Sequence, residues 1–378
     1  MNNLTLQAIA TPVLAASGYV DIFGLPPDAV TPAEHVKRLF RKLQRDLHPD
    51  RYVEETSKQL ADEAFKKVAL LHEDALRAIR MGQYGKPAQL VIMKTPSGSH
   101  AITRVVGSGD LSATYWAESK VGVDTRTTFV KVVKDHRNND LMKTEARALK
   151  ILHGPDVEQK WRPYVSELVD SFVYAEAHKP RRRTNVLTGM PDFISMEDMR
   201  PLYPNGVPVV HVVWMWRRVL MSLGFAHDNQ VIHGAVLPPH VMILPEHHGV
   251  TLVDWCYASI ATDSVHPSIV AVPSGYKDWY PEEVLSKQAP SPATDLYLAA
   301  KTMIFLLGGD PLTGNMPNVV PFQLRAFFRG CLQLKQTARP QNAWLLLKEF
   351  DELLERIGGP FYPRKFRTFV LPTGTTKH

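Results

Sequence analysis

Two places in this 378-residue chain put reactive side chains at spacings that chemistry can use. The first is His48-Pro49-Asp50, an imidazole and a carboxylate on either side of a proline. Pro49 fixes its own φ and disfavours helical geometry at His48, so a helix arriving from upstream ends there and Asp50 is presented from a stiff turn. The second is a longer series in fixed order: the turn Gly107-Ser108-Gly109-Asp110-Leu111-Ser112, then Lys131, Glu145, His233, Asp254, Glu282, Asp295 and Arg339. A two-glycine turn serves many hairpins; here it gains weight from the charged residues that follow it. Cys256 and Cys331 are the only cysteines and stand far apart, which excludes a disulfide framework and zinc-type cysteine spacing and suits a reducing cytoplasm.

Regular elements must hold these groups. Val36, Leu39, Phe40, Leu43 and Leu47 recur at three- and four-residue steps, while Lys37, Arg38, Arg41, Lys42 and Arg45 fall mostly outside that stripe. The spacing predicts a helix with one buried face and one positive face, and Thr31, Pro32 and Glu34 fit its N-cap, first turn and capping box. Leu60, Ala64, Phe65, Val68, Leu71, Ala75 and Ile79 predict a second helix, and a short loop between the two makes an antiparallel hairpin. The helical pattern stops at Met81-Gly82, ahead of Gly85-Lys86-Pro87. Beyond it, β-branched runs at 90–93, 101–106, 127–133 and 165–174 come first, and long helical stretches at 209–227, 292–307 and 340–356 come later. That order argues for a small sheet lobe and a larger helical one. The expected layout is α+β and multidomain: a tail over 1–17 packing on the hairpin, an all-α hairpin module over 18–81, a linker at 82–87, a two-lobed domain over 88–355, and an extended or frayed tail over 356–378.

The hairpin residues resemble a known family. The run from Tyr19 to Ala29 (YVDIFGLPPDA) resembles the first helix and turn of a J domain, Phe40-Arg41-Lys42-Leu43 its second helix, and Glu63-Ala64-Phe65-Lys66-Lys67-Val68 its third. The resemblance implies docking on a DnaK-type chaperone. Lys37, Arg38, Arg41, Lys42 and Arg45 would steer the module to an acidic ATPase surface, and His48, Pro49 and Asp50 would stimulate ATP hydrolysis. The alternative is an ordinary helical hairpin with a solvated basic face.

Over residues 88–355 the ordered series resembles a eukaryotic-like protein kinase domain, bilobal with a small β lobe and a larger α lobe. The resemblance implies that Gly107 and Gly109 belong to the phosphate-covering loop, that Lys131 meets the ATP phosphates with Glu145 as its ion-pair partner, and that Asp254 binds the metal. It implies structural roles for His233, for Glu282 paired with Arg339, and for Asp295. The stretch from His233 to Met242 (HGAVLPPHVM) aligns without gaps on the catalytic loop, with departures at three positions. Ala235 replaces the proton-accepting carboxylate, Leu237 the lysine that neutralises the moving phosphoryl, and His240 the asparagine of the second magnesium. Phosphoryl transfer depends on positioning and charge stabilisation, so these losses imply a pseudokinase. ATP with magnesium is one expectation for Lys131, Glu145 and Asp254; the other is that they only clip the lobes together.

The combined expectation is a co-chaperone-type adaptor: the J-like module recruits a chaperone ATPase and the kinase-like domain binds a client protein or nucleotide. An atypical ATP-dependent transferase, moving phosphoryl or AMP, and an inert scaffold are the other readings. Composition, 44% hydrophobic and 22% charged with net charge +6, is that of a soluble globular protein and does not demand nucleic acid. Lys179 to Arg183 is expected at an exposed hairpin tip without the interleaved aromatics of a nucleic-acid patch. No segment is expected to span a bilayer. His240 is expected as a hydrogen-bonded interior histidine or, because imidazole suits zinc-like ions and magnesium prefers oxygen, as a substituted metal ligand. Trp214 and Trp216, two apart on one helix, cannot share a core stripe, so one is expected to be free for a partner or half-buried at a lobe junction. A monomer or weak dimer is expected.

Overall fold

The computed structural model describes residues 3–16, 18–27, 30–80, 84–85, 91–175, 180–261, 268–362 and 368–372. Most of the linker expected at 82–87, and Lys179, lie outside the described residues. The chain divides into two units, Met1–Leu90 and Val91–His378.

The first unit is helical: α1 (Asn3–Ala15), α2 (Tyr19–Phe23), α3 (Pro32–Asp46) and α4 (Glu55–Arg80). Thr31 caps α3, its hydroxyl accepting the Glu34 N–H at 3.3 Å, with Pro32 in the first turn. Ala61, Ala64 and Val68 of α4 share an apolar cluster with Leu47 and Tyr52 and with Leu6, Ala10 and Val13 of α1. Leu71 and Ala75 share a second with Phe23 and Val36. The stretch expected as a tail is therefore a helix, because Leu6, Ala10 and Val13 repeat at helical spacing and are buried.

The second unit opens with β1 (Ile92–Lys94), β2 (Gly98–Ser108), β3 (Ser112–Val121) and β4 (Asp124–Val133), followed by α5 (Asn139–Leu152), β5 (Leu168–Tyr174) and β6 (Arg182–Thr188). They form one antiparallel sheet in the order β1-β2-β3-β4-β6-β5. Ser112, Thr114, Glu118, Ser119 and Lys120 dilute the apolar pattern of β3, which hides it in the sequence, yet it pairs along its length with β2 and β4. Arg182 and Arg183, expected at a hairpin tip, lie within β6 and pair with β5.

After the connection 189–193 come β7 (Ile194–Ser195), α6 (Met196–Met199), α7 (Val209–Asp228), β8 (Val231–Ile232), β9 (Val241–Leu244), β10 (Gly249–Leu252), β11 (Ser259–Ile260), α8 (Glu282–Leu285), α9 (Pro292–Leu306), α10 (Phe322–Gly330) and α11 (Ala343–Ile357). By length and composition α7 could cross a membrane, contrary to the sequence expectation. Its residues Val212, Met215, Trp216, Val219, Leu220 and Leu223 are buried in the core of this unit, where Trp216 meets Phe328 and Phe350 edge to face.

Trp214 is half-buried, and its cover is the chain's own. The Phe369 ring lies 5.9 Å from it and the His248 ring 4.8 Å, centroid to centroid. Phe369 is 2% exposed, so the tail expected to be loose docks on the helical lobe. Phe369→Ala should cost about 3 kcal/mol or more in the unfolding of the larger unit and shift Trp214 emission to the red, as read by denaturant titration with tryptophan fluorescence.

Candidate functional site

Lys131 lies near the end of β4, and its ammonium meets three residues on two other segments. Nζ donates to Glu145 Oε1 of α5 at 2.6 Å and to Asp254 Oδ1 at 3.0 Å, and stands 3.5 Å from Cys256 Sγ. Burial alone would push this ammonium down, but Asp254, Cys256 and Glu145 hold it well above its ordinary value. Burial would likewise raise the Asp254 carboxyl, and Lys131 and then His240 hold it well below the usual carboxylate range. Burial pushes the Cys256 thiol up.

Asn185, the register partner of Lys131 on β6, fixes the other Glu145 oxygen. Its Nδ2 donates to Glu145 Oε2 at 2.8 Å and to Met142 O at 2.9 Å, and its Oδ1 accepts the Ser171 hydroxyl at 2.8 Å. This positioning residue escaped the sequence; its one signal is a lone amide flanked by Thr184, Val186 and Leu187. Asp254 itself takes the left-handed conformation, φ 63° and ψ 58°, a costly backbone state for a residue with a side chain and one that clusters at functional sites.

Asp295, in the first turn of α9, holds the loop that follows β8. Its carboxylate accepts the His233 and Gly234 N–H groups, both at 2.8 Å, and lies 2.9 Å from His227 Nε2. Gly234 has φ +75°, and a Cβ there would collide with Tyr257 O, so only glycine suits this position. The His233 Nδ1 accepts the Ala235 N–H at 3.2 Å, which leaves Nε2 to donate to Val253 O at 3.0 Å. Burial brings His233 down to about 4.

Ala235 and Leu237 are completely buried and belong to the apolar core. Neither can take a proton or neutralise a phosphoryl group. His240 is buried too: Nδ1 lies 2.9 Å from Ala235 O and Nε2 3.3 Å from Asp254 Oδ2.

Gly107 and Gly109 flank the β2–β3 turn. Gly107 O accepts the Thr114 hydroxyl at 3.1 Å, and Lys134 Nζ donates to Gly109 O. Asp110 accepts the Ser274 N–H at 2.7 Å and its hydroxyl at 2.6 Å, pinning the turn to the large lobe. Phe129, two residues before Lys131, shares its face of the sheet. Trp116, the register partner of Phe129, meets it edge to face at 5.6 Å and lies so near Gly189 that a Cβ there would stand 2.8 Å from its Cζ3. Lys131 is engaged by Glu145 and Asp254, and His240 offers nitrogen where magnesium prefers oxygen.

Arg339 pairs with Glu283, not with Glu282. Its guanidinium grips both Glu283 oxygens, at 2.6 and 3.2 Å, and donates to Gln333 O and Leu334 O. Glu282, the first residue of α8, faces solvent and bonds Ser286, whereas the next residue turns inward. The structure thus brings Lys131, Glu145 and Asp254 together by direct bonds and clasps His233 to Asp295, while Glu282 stands apart.

No family model matches the chain, and no curated protein does. Among solved structures, a double mutant of the Mycobacterium tuberculosis PknI kinase domain is similar at TM-score 0.51 and 17% identity, over 67% of this chain and 95% of that one. The same kinase domain in a second crystal structure is similar at TM-score 0.50 and 17% identity, over 69% of this chain and 100% of that one. At this identity the likeness shows the fold: the chain contains a protein-kinase-like fold with a curled antiparallel sheet.

Glu283→Ala strands a buried guanidinium and should cost about 3–5 kcal/mol, while Glu282→Ala should stay within about 0.5 kcal/mol; chemical denaturation of the two variants separates them. The pH dependence follows from His233. Its folded value lies below the ordinary one, so the unfolded chain binds the extra proton first as pH falls. Stability should be complete above about pH 6.5 and fall toward pH 4 by on the order of 3 kcal/mol. Thermal melting across that window should show the loss, and His233→Gln should flatten it.

Proposed function

We propose that this chain is a co-chaperone-type adaptor, in which a J-type module engages a DnaK-type chaperone and stimulates its ATPase while a pseudokinase unit binds a client protein. The observation that carries the reading is the setting of His48-Pro49-Asp50. Leu47 and Tyr52 on either side are buried, and the Tyr52 hydroxyl donates to Asp46 O at 2.6 Å, whereas His48 and Asp50 are exposed between them. The Asp50 N–H donates to His48 Nδ1 at 3.3 Å and closes the turn. A stiff corner with two buried anchors and two outward polar groups suits recognition better than packing.

Lys37, Arg38, Arg41, Lys42 and Arg45 of α3 are all exposed, a positive face that favours an acidic partner and loses its pull with salt. The pseudokinase half of the reading rests on buried Ala235 and Leu237, which leave those two positions without a carboxylate or a cation. Free, buried Cys256 and Cys331 go with a cytoplasmic setting.

The full chain should raise the steady-state ATPase of a DnaK-type chaperone. His48→Gln should abolish that stimulation, and Arg41→Glu with Lys42→Glu should lower the association rate about tenfold or more at low salt, with a smaller difference at high salt. Stimulation unchanged in His48→Gln would remove the reading.

A further inference from the structure

The segment 368–372 lies on the helical lobe as a peptide ligand would. Thr368, Val370 and Pro372 are exposed, Phe369 is buried and Leu371 partly so, the two-residue period of an extended chain with one face in a groove. The groove is aromatic. Phe369 meets His211 at 4.7 Å, Trp214 at 5.9 Å and Tyr203 at 6.3 Å between ring centroids, and His248 packs on Trp214 in turn. Val212, Met215, Trp216 and Val219 of the same helix are buried in the core, and they fix α7 whether or not Phe369 is in place. The walls of the groove stand without the segment.

Side chains tie the segment down. No backbone-to-backbone hydrogen bond joins residues 368–371 to another described residue, and Val370 O accepts the Tyr203 hydroxyl at a long 3.4 Å. The seat is also incomplete. The Trp214 indole N–H is buried and meets no acceptor among the described residues, a cost that an occupant offering an acceptor would remove. Pockets for alternate side chains of an extended chain are a recurring way of reading peptides. This groove reads an aromatic residue and an aliphatic one two positions later.

Resting on the client-binding half of the reading above, we propose that this groove is the client site of the pseudokinase unit and that Phe369 and Leu371 hold it in the client's absence. The client is an extended segment of the form aromatic-any-aliphatic. A competitor on the same chain is never diluted, so the apparent affinity for a client falls by the fraction of grooves that stand open. The tail sets a threshold that only a matching client passes.

The test uses the full chain and a fluorescent peptide copied from residues 364–375, with no chaperone present. Phe369→Ser with Leu371→Ser in the chain should open the groove, shift Trp214 emission to the red, and raise peptide affinity about tenfold or more over the wild-type chain. Bound peptide should reverse the shift. A peptide with the same two anchors in an unrelated polar frame should bind alike, and one carrying both serines should not bind. A photoreactive phenylalanine at the 369 position of the peptide needs no variant to fold: in excess over the wild-type chain, it should cross-link within 203–214. Equal affinity of the variant and wild-type chains, cross-links elsewhere, or dependence on the flanks rather than the anchors would overturn the client site. A wild-type dimer that the peptide dissociates would put a second copy in the groove and overturn it too. Chaperone ATPase stimulation is read in its own assay, so either result can fail alone.

Discussion

A single ammonium, that of Lys131, is where the sheet, helix α5 and the segment after β10 converge. Taking its charge and two carboxylates out of water is expensive, and the mutual attraction returns that cost only in good geometry. Asn185 supplies part of that geometry by holding Glu145 from the far side. The arrangement works as a registration mark more than as a source of stability. Each partner is tolerable in the interior only while the others are in place, so the lobes have few alternative ways to meet.

The loop after β8 is held to Asp295 by its backbone and not by its side chains. Asp295 grips it through two backbone amides, and Gly234 provides the backbone turn that lets both reach the carboxylate. Neither contact depends on the side chains at 235, 237 or 240. Those positions are free to become apolar, and Ala235 and Leu237 then add to the core instead of projecting into a cleft.

Much of this was legible because the relevant signals are local. The stripes of α3 and α4, the Thr31 cap and the ordered series from Lys131 to Arg339 all act over short spans or as a sequence of marks. What was hidden depends on tertiary context. Glu282 and Glu283 are neighbours, and which one meets Arg339 is set by the direction each takes from the start of α8. Strand β3 is too polar to announce itself and is made a strand by partners on both sides. Asn185 matters only because β6 lies beside β4, and α7 is apolar enough to cross a membrane because a core helix is buried on most of its surface.

The docking of Phe369 has a consequence for biogenesis. Domains fold as units during synthesis, N-terminal first, and the two described apolar clusters of the helical unit draw only on residues up to Tyr84. In the larger unit Trp214 and His211 wait for a ring made more than a hundred residues later. For most of translation a nascent chain would therefore present a finished front and an unfinished back, with part of α7 still uncovered at the ribosome.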